Sequence, residues 1–292
     1  MKREMGKQIY RCLSVLVFFL VAAGLAQAAD VKVYAFNAGV LKTQTQYLLK
    51  DTRVGTPLDI PVPFLVLKHG KEWVAFDTGC NAAATKDPVG YWGHAMATAY
   101  MPVIRPGQEF KEATKVLGLR PSDFKAVVCS HGHLDHAGAI DNFLGTNVPI
   151  YFQKAEMAEI KKVVDAQKVG TTYILGDFKH LNELNIREIE GLFDIFGDRS
   201  IIAFPTPGHT PGHQSLYVKP SKGKAFIYCV DALYTLENME KSIAPGLAAD
   251  IPGAMQNINW FKLEDWTGVK IVPSHDPEYW AKRAWAPREL VP

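Results

Sequence analysis

The sequence predicts an α/β fold in one domain. Short apolar runs rich in β-branched residues, such as 31–36, 126–130 and 201–204, indicate buried strands. Segments with amphipathic helical spacing lie between such runs, and 154–163 is one of them. Several apolar runs are followed within a few residues by histidine or aspartate, and α/β proteins place their sites at such strand ends. These observations indicate a sheet-based domain with a site at one edge.

The predicted elements follow one another without an internal repeat, a low-complexity tract or an interdomain linker. Strands are predicted at residues 31–36, 61–67, 72–77, 126–130, 148–152, 201–204, 214–218, 225–230 and 269–272. Helices are predicted at 108–117, from 139, at 154–163 and at 251–262. The runs at 61–67 and 72–77 form a hairpin that turns at His69-Gly70, and 214–218 forms a second hairpin with 225–230. Residues 173–196 are charged and mixed, and no element is predicted there.

The N-terminal stretch has the features of a secretory signal peptide. Residues 2–11 include four basic side chains, residues 12–25 are continuously apolar or small, and Ala26-Gln27-Ala28 matches an A-x-A cleavage site. We expect residues 1–28 to be a signal peptide, the mature chain to begin at Ala29, and the protein to be periplasmic or secreted in a bacterium. An uncleaved membrane anchor is the alternative, but the apolar run is shorter than the ~20 residues that a span needs.

Composition restricts the classes of partner. The chain has 32 basic and 30 acidic residues, a formal charge of +2; removing residues 1–28 takes away four basic residues and one acidic residue and leaves −1. A near-neutral mature protein argues against nucleic acid or an anionic membrane as partner. The remaining 264 residues (292 − 28) suit one large domain or two small ones, and the missing linker favours one.

Three cysteines remain after the predicted signal peptide, namely Cys80, Cys129 and Cys229. An odd number in an exported protein cannot all pair internally. Cys129 and Cys229 each lie two residues before a candidate metal ligand, inside an apolar run. We expect buried free thiols, and a single disulfide stays open as the alternative.

The central feature of the sequence is AVVCSHGHLDHAG at residues 126–138. The strand leads directly into His131, His133, Asp135 and His136, so four potential metal ligands lie within six residues. Packing does not require such a cluster, because crowded imidazoles and a carboxylate repel or desolvate one another unless a cation compensates them. A polar loop with chance histidines is the alternative. We interpret the stretch as a metal-binding loop.

Three further candidate ligands follow later strands. His209, Asp231 and His275 each come a few residues after a β-branched or aromatic run. Ligands at the ends of successive strands can converge on one edge of a sheet, so we expect all seven side chains to form one metal site. His213 is interpreted as a structural residue that orients its loop by hydrogen bonds, and Asp77 as a strand-end residue that caps a loop beneath the site.

Residues 87–105 have no clean period but concentrate large apolar side chains: Tyr91, Trp92, Met96, Tyr100 and Met101. A segment of this kind is either a satellite of the core or a substrate-binding flap, and both interpretations stay open. The candidate substrate-binding residues from this segment are Trp92, Tyr100 and Met101. Leu134, within the metal-binding loop, is a further candidate.

The seven candidate ligands resemble the H-x-H-x-D-H, His, Asp, His pattern of the metallo-β-lactamase superfamily, and the resemblance extends from Phe76-Asp77-Thr78-Gly79 to His275. It implies an αββα sandwich of two mixed sheets flanked by helices, with two metal ions at one edge. It also implies that His131, His133 and His209 hold the first ion. By the same resemblance Asp135, His136 and His275 hold the second, and Asp231 bridges the two.

Within that superfamily the chain looks most like the N-acyl-homoserine lactonases. The resemblance rests on TPGHTPGHQS at 206–215, DALY at 231–234 and SHD at 274–276. In that family a tyrosine three residues after the bridging aspartate reaches the substrate, and Tyr234 has this position. An aromatic core residue is the alternative for Tyr234. The resemblance therefore implies a quorum-quenching hydrolase that opens a lactone ring, with a small-molecule lactone as substrate.

The residue types suit the implied chemistry. Imidazoles and carboxylates favour Zn²⁺ or a similar ion. A hydroxide that bridges two divalent ions would attack the lactone carbonyl, the Tyr234 hydroxyl would polarise the carbonyl oxygen, and Asp135 would pass a proton to the leaving ring oxygen.

Other hydrolases of the same superfamily are the competing interpretations. A thioester hydrolase like glyoxalase II is one alternative and a β-lactamase the other; a bridging carboxylate at Asp231 resembles the lactonase and glyoxalase II branches and counts against the β-lactamase. A protein without catalytic activity would be expected to lack ligands, and none is missing. A homodimer is compatible with the sequence.

Overall fold

The computed structural model describes residues 30–292, so the predicted signal peptide at 1–28 lies outside the described residues. Within that range the chain forms two mixed β-sheets that pack face to face, with helices on both outer faces. The predicted αββα architecture is confirmed. No helix in the described range is long and apolar enough to cross a bilayer.

The first sheet has the strand order β4-β1-β2-β3-β5-β6-β7 and the second has the order β12-β11-β10-β9-β8. The strands of the first sheet are β1 (Val31–Gln44), β2 (Pro57–His69), β3 (Glu72–Phe76), β4 (Met101–Val103), β5 (Ala126–Val128), β6 (Ile150–Gln153) and β7 (Ile186–Ile189). Those of the second are β8 (Phe193–Asp194), β9 (Ile201–Pro205), β10 (Gln214–Val218), β11 (Phe226–Val230) and β12 (Lys270–Pro273).

Among residues 30–292, two longer helices cover the sandwich and six short ones fill its loops. The longer helices are α5 (Lys154–Asp165) and α7 (Ile251–Thr267). The short helices are α1 (Ala83–Lys86), α2 (Pro88–Trp92), α3 (His94–Ala99), α4 (Phe110–Ala113), α6 (Leu236–Lys241) and α8 (Pro277–Ala281). Single 3₁₀ turns occupy Thr45–Tyr47, Thr114–Leu117, Pro121–Asp123, Ile140–Phe143 and Leu181–Glu183.

The four layers follow from the two-residue period of the strands. In β11, Phe226 and Tyr228 belong to the core between the sheets, whereas Ile227 and Cys229 lie in the core beneath α7. In the first sheet, Val128 likewise faces the second sheet and Val127 faces the outer helices. Because both faces of these strands are buried, their sequences read as continuous apolar runs.

The strand directions bring the candidate ligands to one edge. In the first sheet β3 and β5 are parallel, so Asp77 and the metal-binding loop follow neighbouring strand ends. In the second sheet β11 and β12 are parallel, and β9 runs the same way because both β9 and β11 are antiparallel to β10. The loops after β9, β11 and β12 therefore emerge together.

Several sequence-based expectations need correction. The segment 87–105 contains α2, α3 and β4. Its helices are only five and six residues long, which is too short to show a helical period in the sequence. The helix expected at 108–117 is α4 continued by a 3₁₀ turn, and the one expected from 139 is a single 3₁₀ turn. Strands β7 and β8 were not predicted, since β7 is an edge strand with no buried residue. Cys80, Cys129 and Cys229 are free and buried, as expected.

Candidate metal centre

The metal-binding loop after β5 is tightly packed, and two glycines make that packing possible. A Cβ on Gly132 would lie 2.8 Å from the Tyr173 ring and 2.9 Å from Ile160. A Cβ on Gly138 would collide with the carbonyl oxygen of Leu134. The loop can therefore turn back on itself only with glycine at these positions.

The loop and the later strand ends bring all seven predicted ligands together. One group consists of His131, His133, His209 and Asp231, and the other of Asp135, His136 and His275. Within each group one ligand atom per residue lies within 4.8 Å of the others, and all seven side chains are buried.

Asp231 stands between the two groups. Its Oδ2 lies 3.3 Å from Nε2 of His209 and 3.7 Å from Nε2 of His131. Its Oδ1 lies 3.1 Å from Nε2 of His275 and 3.3 Å from Nε2 of His136. Each carboxylate oxygen thus faces a different group, which is the arrangement of a bridging ligand. Val230, directly before it, is a β-branched residue with φ +50°, a strained conformation of the kind found at functional sites.

Hydrogen bonds on the outer side of each ring fix the orientation of His131 and His136. Nδ1 of His136 donates to Oδ2 of Asp77 at 2.9 Å, so its Nε2 keeps a lone pair that is buried without a hydrogen-bond partner. Ser130 Oγ donates to Asp77 and accepts from Nδ1 of His131 at 3.0 Å. Asp77 also accepts from the Ser130 amide, which confirms that it supports the loop from below.

Backbone carbonyls hold two other imidazoles in the same way. Nδ1 of His209 donates to the Leu247 oxygen at 2.9 Å, and Nδ1 of His275 donates to the Pro61 oxygen at 2.7 Å. In both rings the inner nitrogen, Nε2, is left with a lone pair that points at the other ligands. Histidines that bind metal are commonly oriented by an acceptor that takes a hydrogen bond from the other ring nitrogen.

The lone pairs converge at spacings that a shared cation explains. Nε2 of His209 lies 2.9 Å from Nδ1 of His133 and 3.2 Å from Nε2 of His131. Nitrogen atoms bound at about 2.0–2.1 Å to one tetrahedral ion lie roughly 3.3 Å apart. Without a cation these lone pairs would repel one another. The donor set and its spacing therefore fit two divalent cations, one in each group.

The protonation equilibria agree with this assignment. Burial lowers the pKa of His131, His133 and His209, which favours the neutral form that binds metals. Burial acts in the same direction on His136 and His275, but the Asp231 and Asp135 carboxylates together outweigh it and raise the pKa of both. A cation beside Asp231 would take the place of those protons.

His213 has the structural role that the sequence analysis assigned to it. Its Nε2 accepts from the Asp231 amide at 3.2 Å, and its Nδ1 donates to Thr206 Oγ1 at 2.9 Å. Burial lowers the pKa of His213 to about 3, so the ring stays neutral and keeps this donor and acceptor pattern. It therefore fixes the backbone of the bridging aspartate.

Glu156, at the start of α5, is a supporting residue that sequence reasoning missed. Its Oε1 accepts from the Gly132 amide and the Tyr173 hydroxyl, both at 2.8 Å. Its Oε2 accepts from the Thr210 hydroxyl at 2.7 Å and the Gly212 amide at 3.1 Å. One carboxylate thus joins the loop after β5 to the loop after β9. A glutamate in the first turn of a helix is ordinary, so only its complete burial distinguishes it.

A cavity opens onto the ligands. Its polar floor is formed by His133, Asp135, His209, Asp231 and His275, and its walls by Leu41, Tyr47, Leu48, Ile60, Tyr100, Leu134, Thr172, Tyr234 and Leu247. Of the candidate substrate-binding residues, Leu134, Tyr100 and Tyr234 thus line it. Trp92 and Met101 do not: Trp92 is buried in the core on the outer face of the first sheet, and Met101 points to solvent.

Tyr234 lies beside the first group of ligands. Its hydroxyl is 3.0 Å from Nδ1 of His209 and 3.5 Å from the Leu247 oxygen. Since Nδ1 of His209 carries the proton, the Tyr234 oxygen accepts at that contact and its own proton has only the distant carbonyl as partner. The residue is buried yet borders the cavity.

Comparisons with known proteins agree with the predicted family. The family model described as the metallo-beta-lactamase superfamily matches residues 59–275. The chain is 33% identical to an N-acyl homoserine lactonase AttM of Rhizobium radiobacter and 31% identical to one of Azorhizobium caulinodans; each alignment covers 88% of this chain and 98% of the relative.

A solved N-acyl homoserine lactone hydrolase, which carries the product N-hexanoyl-L-homoserine at its catalytic metal centre, superposes on this fold with a TM-score of 0.77 at 24% identity. The alignment covers 90% of this chain and 100% of that one. The predictions of the fold and of a metal-dependent hydrolase are confirmed. The chain belongs to the metallo-β-lactamase superfamily and, within it, to the N-acyl homoserine lactonase family.

Proposed function

We propose that this protein hydrolyses the lactone ring of N-acyl homoserine lactones. The observation that carries the proposal is the position of Asp231, which faces both groups of ligands at the floor of a cavity whose walls are mostly apolar. A dinuclear centre suits a small polar ester, and the apolar walls suit an acyl tail. The names of the two relatives support the same substrate class.

Each residue of the site has a separate role in the proposed reaction. Two bound divalent ions would supply a water of lowered pKa as nucleophile and an electrophile for the carbonyl oxygen. Asp135 borders the cavity beside His275 and is placed to carry a proton to the leaving ring oxygen. Tyr234 would direct its proton to the carbonyl oxygen of the substrate. Five imidazoles and two carboxylates are the ligand types that zinc prefers, so we propose zinc as the resident metal.

We also propose that the protein acts outside the cytoplasm, because of the signal-peptide features of residues 1–28. N-terminal sequencing of protein recovered from the periplasm or medium tests this. A chain that starts at Ala29 supports the proposal, and an intact N-terminus with cytoplasmic recovery contradicts it.

The proposed activity is tested by one comparison of substrates. Purified protein of known metal content is assayed on an N-acyl homoserine lactone, a penam and a glutathione thioester. We expect about two zinc ions per chain and a kcat/KM for the lactone that is orders of magnitude above the others. A preference for the thioester would favour the glyoxalase II-like alternative, and a preference for the penam would favour a β-lactamase.

A further inference from the structure

The hydroxyl of Tyr100 is buried without a hydrogen-bond partner. The residue is only 8% exposed, and its hydroxyl oxygen is inaccessible to solvent. A buried hydroxyl that makes no hydrogen bond costs free energy, and the great majority of buried polar groups avoid this. Such an exception at the wall of a substrate cavity indicates a group that is reserved for a ligand.

Packing and backbone hydrogen bonds fix the position of the Tyr100 ring. Its amide donates to the Met96 oxygen at 2.8 Å at the end of α3, and β4 begins at the next residue. The ring lies 5.5 Å from the Tyr47 ring, centroid to centroid, at an angle of 46°. The side chain is thus held on one side while its hydroxyl remains free.

Tyr100 lines the same cavity as Asp135, Asp231 and Tyr234. Burial raises the pKa of Tyr100, and the carboxylates of Asp135 and Asp231 raise it further. Burial likewise raises the pKa of Tyr234, and Asp231 and Tyr100 add to the effect. With their pKa values raised, both phenols stay protonated at neutral pH and can act as donors.

We propose that the Tyr100 hydroxyl donates a second hydrogen bond to the lactone group of the substrate, beside the bond from Tyr234. This inference rests on the proposed lactonase function and adds a catalytic residue to it. The oxygen of Tyr234 already contacts Nδ1 of His209, whereas the hydroxyl of Tyr100 has no competing partner. Two donors aimed at one developing oxyanion are a common means of stabilising it.

The test uses Tyr100→Phe, with Tyr217→Phe as the matched control on β10, away from the cavity. Each variant and the wild type are assayed on an N-acyl homoserine lactone and on an alkyl γ-lactone of equal length without the amide. We expect Tyr100→Phe to lower kcat about 10–100-fold on both substrates, with little change in KM and metal content. Its Tm should stay the same or rise, because the substitution removes an unsatisfied buried hydroxyl. Tyr217→Phe should leave kcat unchanged.

The other outcomes contradict the proposal in distinguishable ways. Full activity of Tyr100→Phe beside an active wild type overturns the role of Tyr100 alone. A loss confined to the substrate with the amide assigns the hydroxyl to the amide and overturns its assignment to the lactone group. A lower Tm with unchanged kcat would show that the hydroxyl is structural. If the wild type opens neither lactone, the proposed function fails and this inference fails with it.

Discussion

Replacement of Glu156 by glutamine should damage the metal centre without touching a ligand. Each carboxylate oxygen of Glu156 accepts from one backbone amide, that of Gly132 or that of Gly212, and from one hydroxyl. The amide group of glutamine would place an N–H against a backbone N–H in either orientation, and a backbone N–H cannot rotate away. Burial raises the pKa of Glu156 while its four donors oppose the shift, so the site is built for the ionised acceptor.

The expected loss of stability in Glu156→Gln comes from one buried backbone N–H that loses its acceptor. Such a loss costs about 1–3 kcal/mol, which for a domain of this size lowers Tm by roughly 2–12 °C. The surroundings cannot relax, because a Cβ on Gly212 would collide with the Glu156 backbone. Since Gly132 separates His131 from His133 and Thr210 follows His209, the strain acts on the first group of ligands. We expect affinity for one zinc ion to fall about 10–100-fold.

The assay measures zinc affinity by competition with a chelator, together with Tm for the apo and zinc-loaded forms. The control is Glu188→Gln on β7, which removes an exposed carboxylate that pairs with Lys161 of α5. If Glu156 positions the ligand loops, zinc should raise the Tm of the Glu156 variant less than that of the wild type. Equal falls in apo and zinc-loaded Tm, with unchanged zinc affinity, would refute the reasoning and leave Glu156 a purely structural residue.

Four further predictions follow from the site and its surroundings. Asp231→Ala should lose at least one metal ion and most activity, measured by metal analysis and kcat/KM; full activity would contradict a bridging role. Tyr234→Phe should lower kcat/KM about 10–100-fold at unchanged metal content, and an unaltered rate would mean that Tyr234 only packs. Burial raises the pKa of Asp177 above its unfolded value, so the folded state holds the proton more tightly and the wild type loses stability as pH rises. Asp177→Asn keeps an acceptor for Tyr91 but does not titrate, so its Tm should rise relative to that of the wild type between pH 5 and about 8. A difference in Tm that stays constant with pH would contradict this. Lengthening the acyl tail from four to eight carbons adds four CH₂ groups, so at about 0.8 kcal/mol each kcat/KM should rise by less than ~200-fold. Leu48→Ala should flatten this dependence on chain length, and the same dependence in the variant and the wild type would mean that the tail does not contact Leu48.

The metal ligands could be predicted from the sequence because each lies directly after a strand. The positions of His209, Asp231 and His275 depend on where β9, β11 and β12 end, and the apolar runs mark those ends. Crowded imidazoles and carboxylates are unfavourable without a cation, so metal binding is the role that explains the cluster. Asp77 could be assigned for the same reason, since it follows β3.

The cavity walls could be predicted only in part, because they depend on contacts between distant segments. Leu48 and Leu247 come from loops that carry no periodic signal, yet they line the same cavity. Within residues 87–105, Tyr100 reaches the cavity, whereas Trp92 packs in the core and Met101 faces solvent. Neighbouring residues at a turn between a helix and a strand point in different directions, and apolarity alone does not distinguish those directions.

The charge balance of the buried site provides an independent argument for two divalent ions. The site and its immediate support contain four buried carboxylates, those of Asp77, Asp135, Glu156 and Asp231. Among residues 30–292 no lysine or arginine is buried, so the chain offers these carboxylates no fixed cation. Buried charges are expensive unless they are compensated, and two divalent ions would carry four positive charges. Metal binding should therefore contribute to the stability of the fold as well as to catalysis, since the same ions that activate water also neutralise the edge where both sheets end.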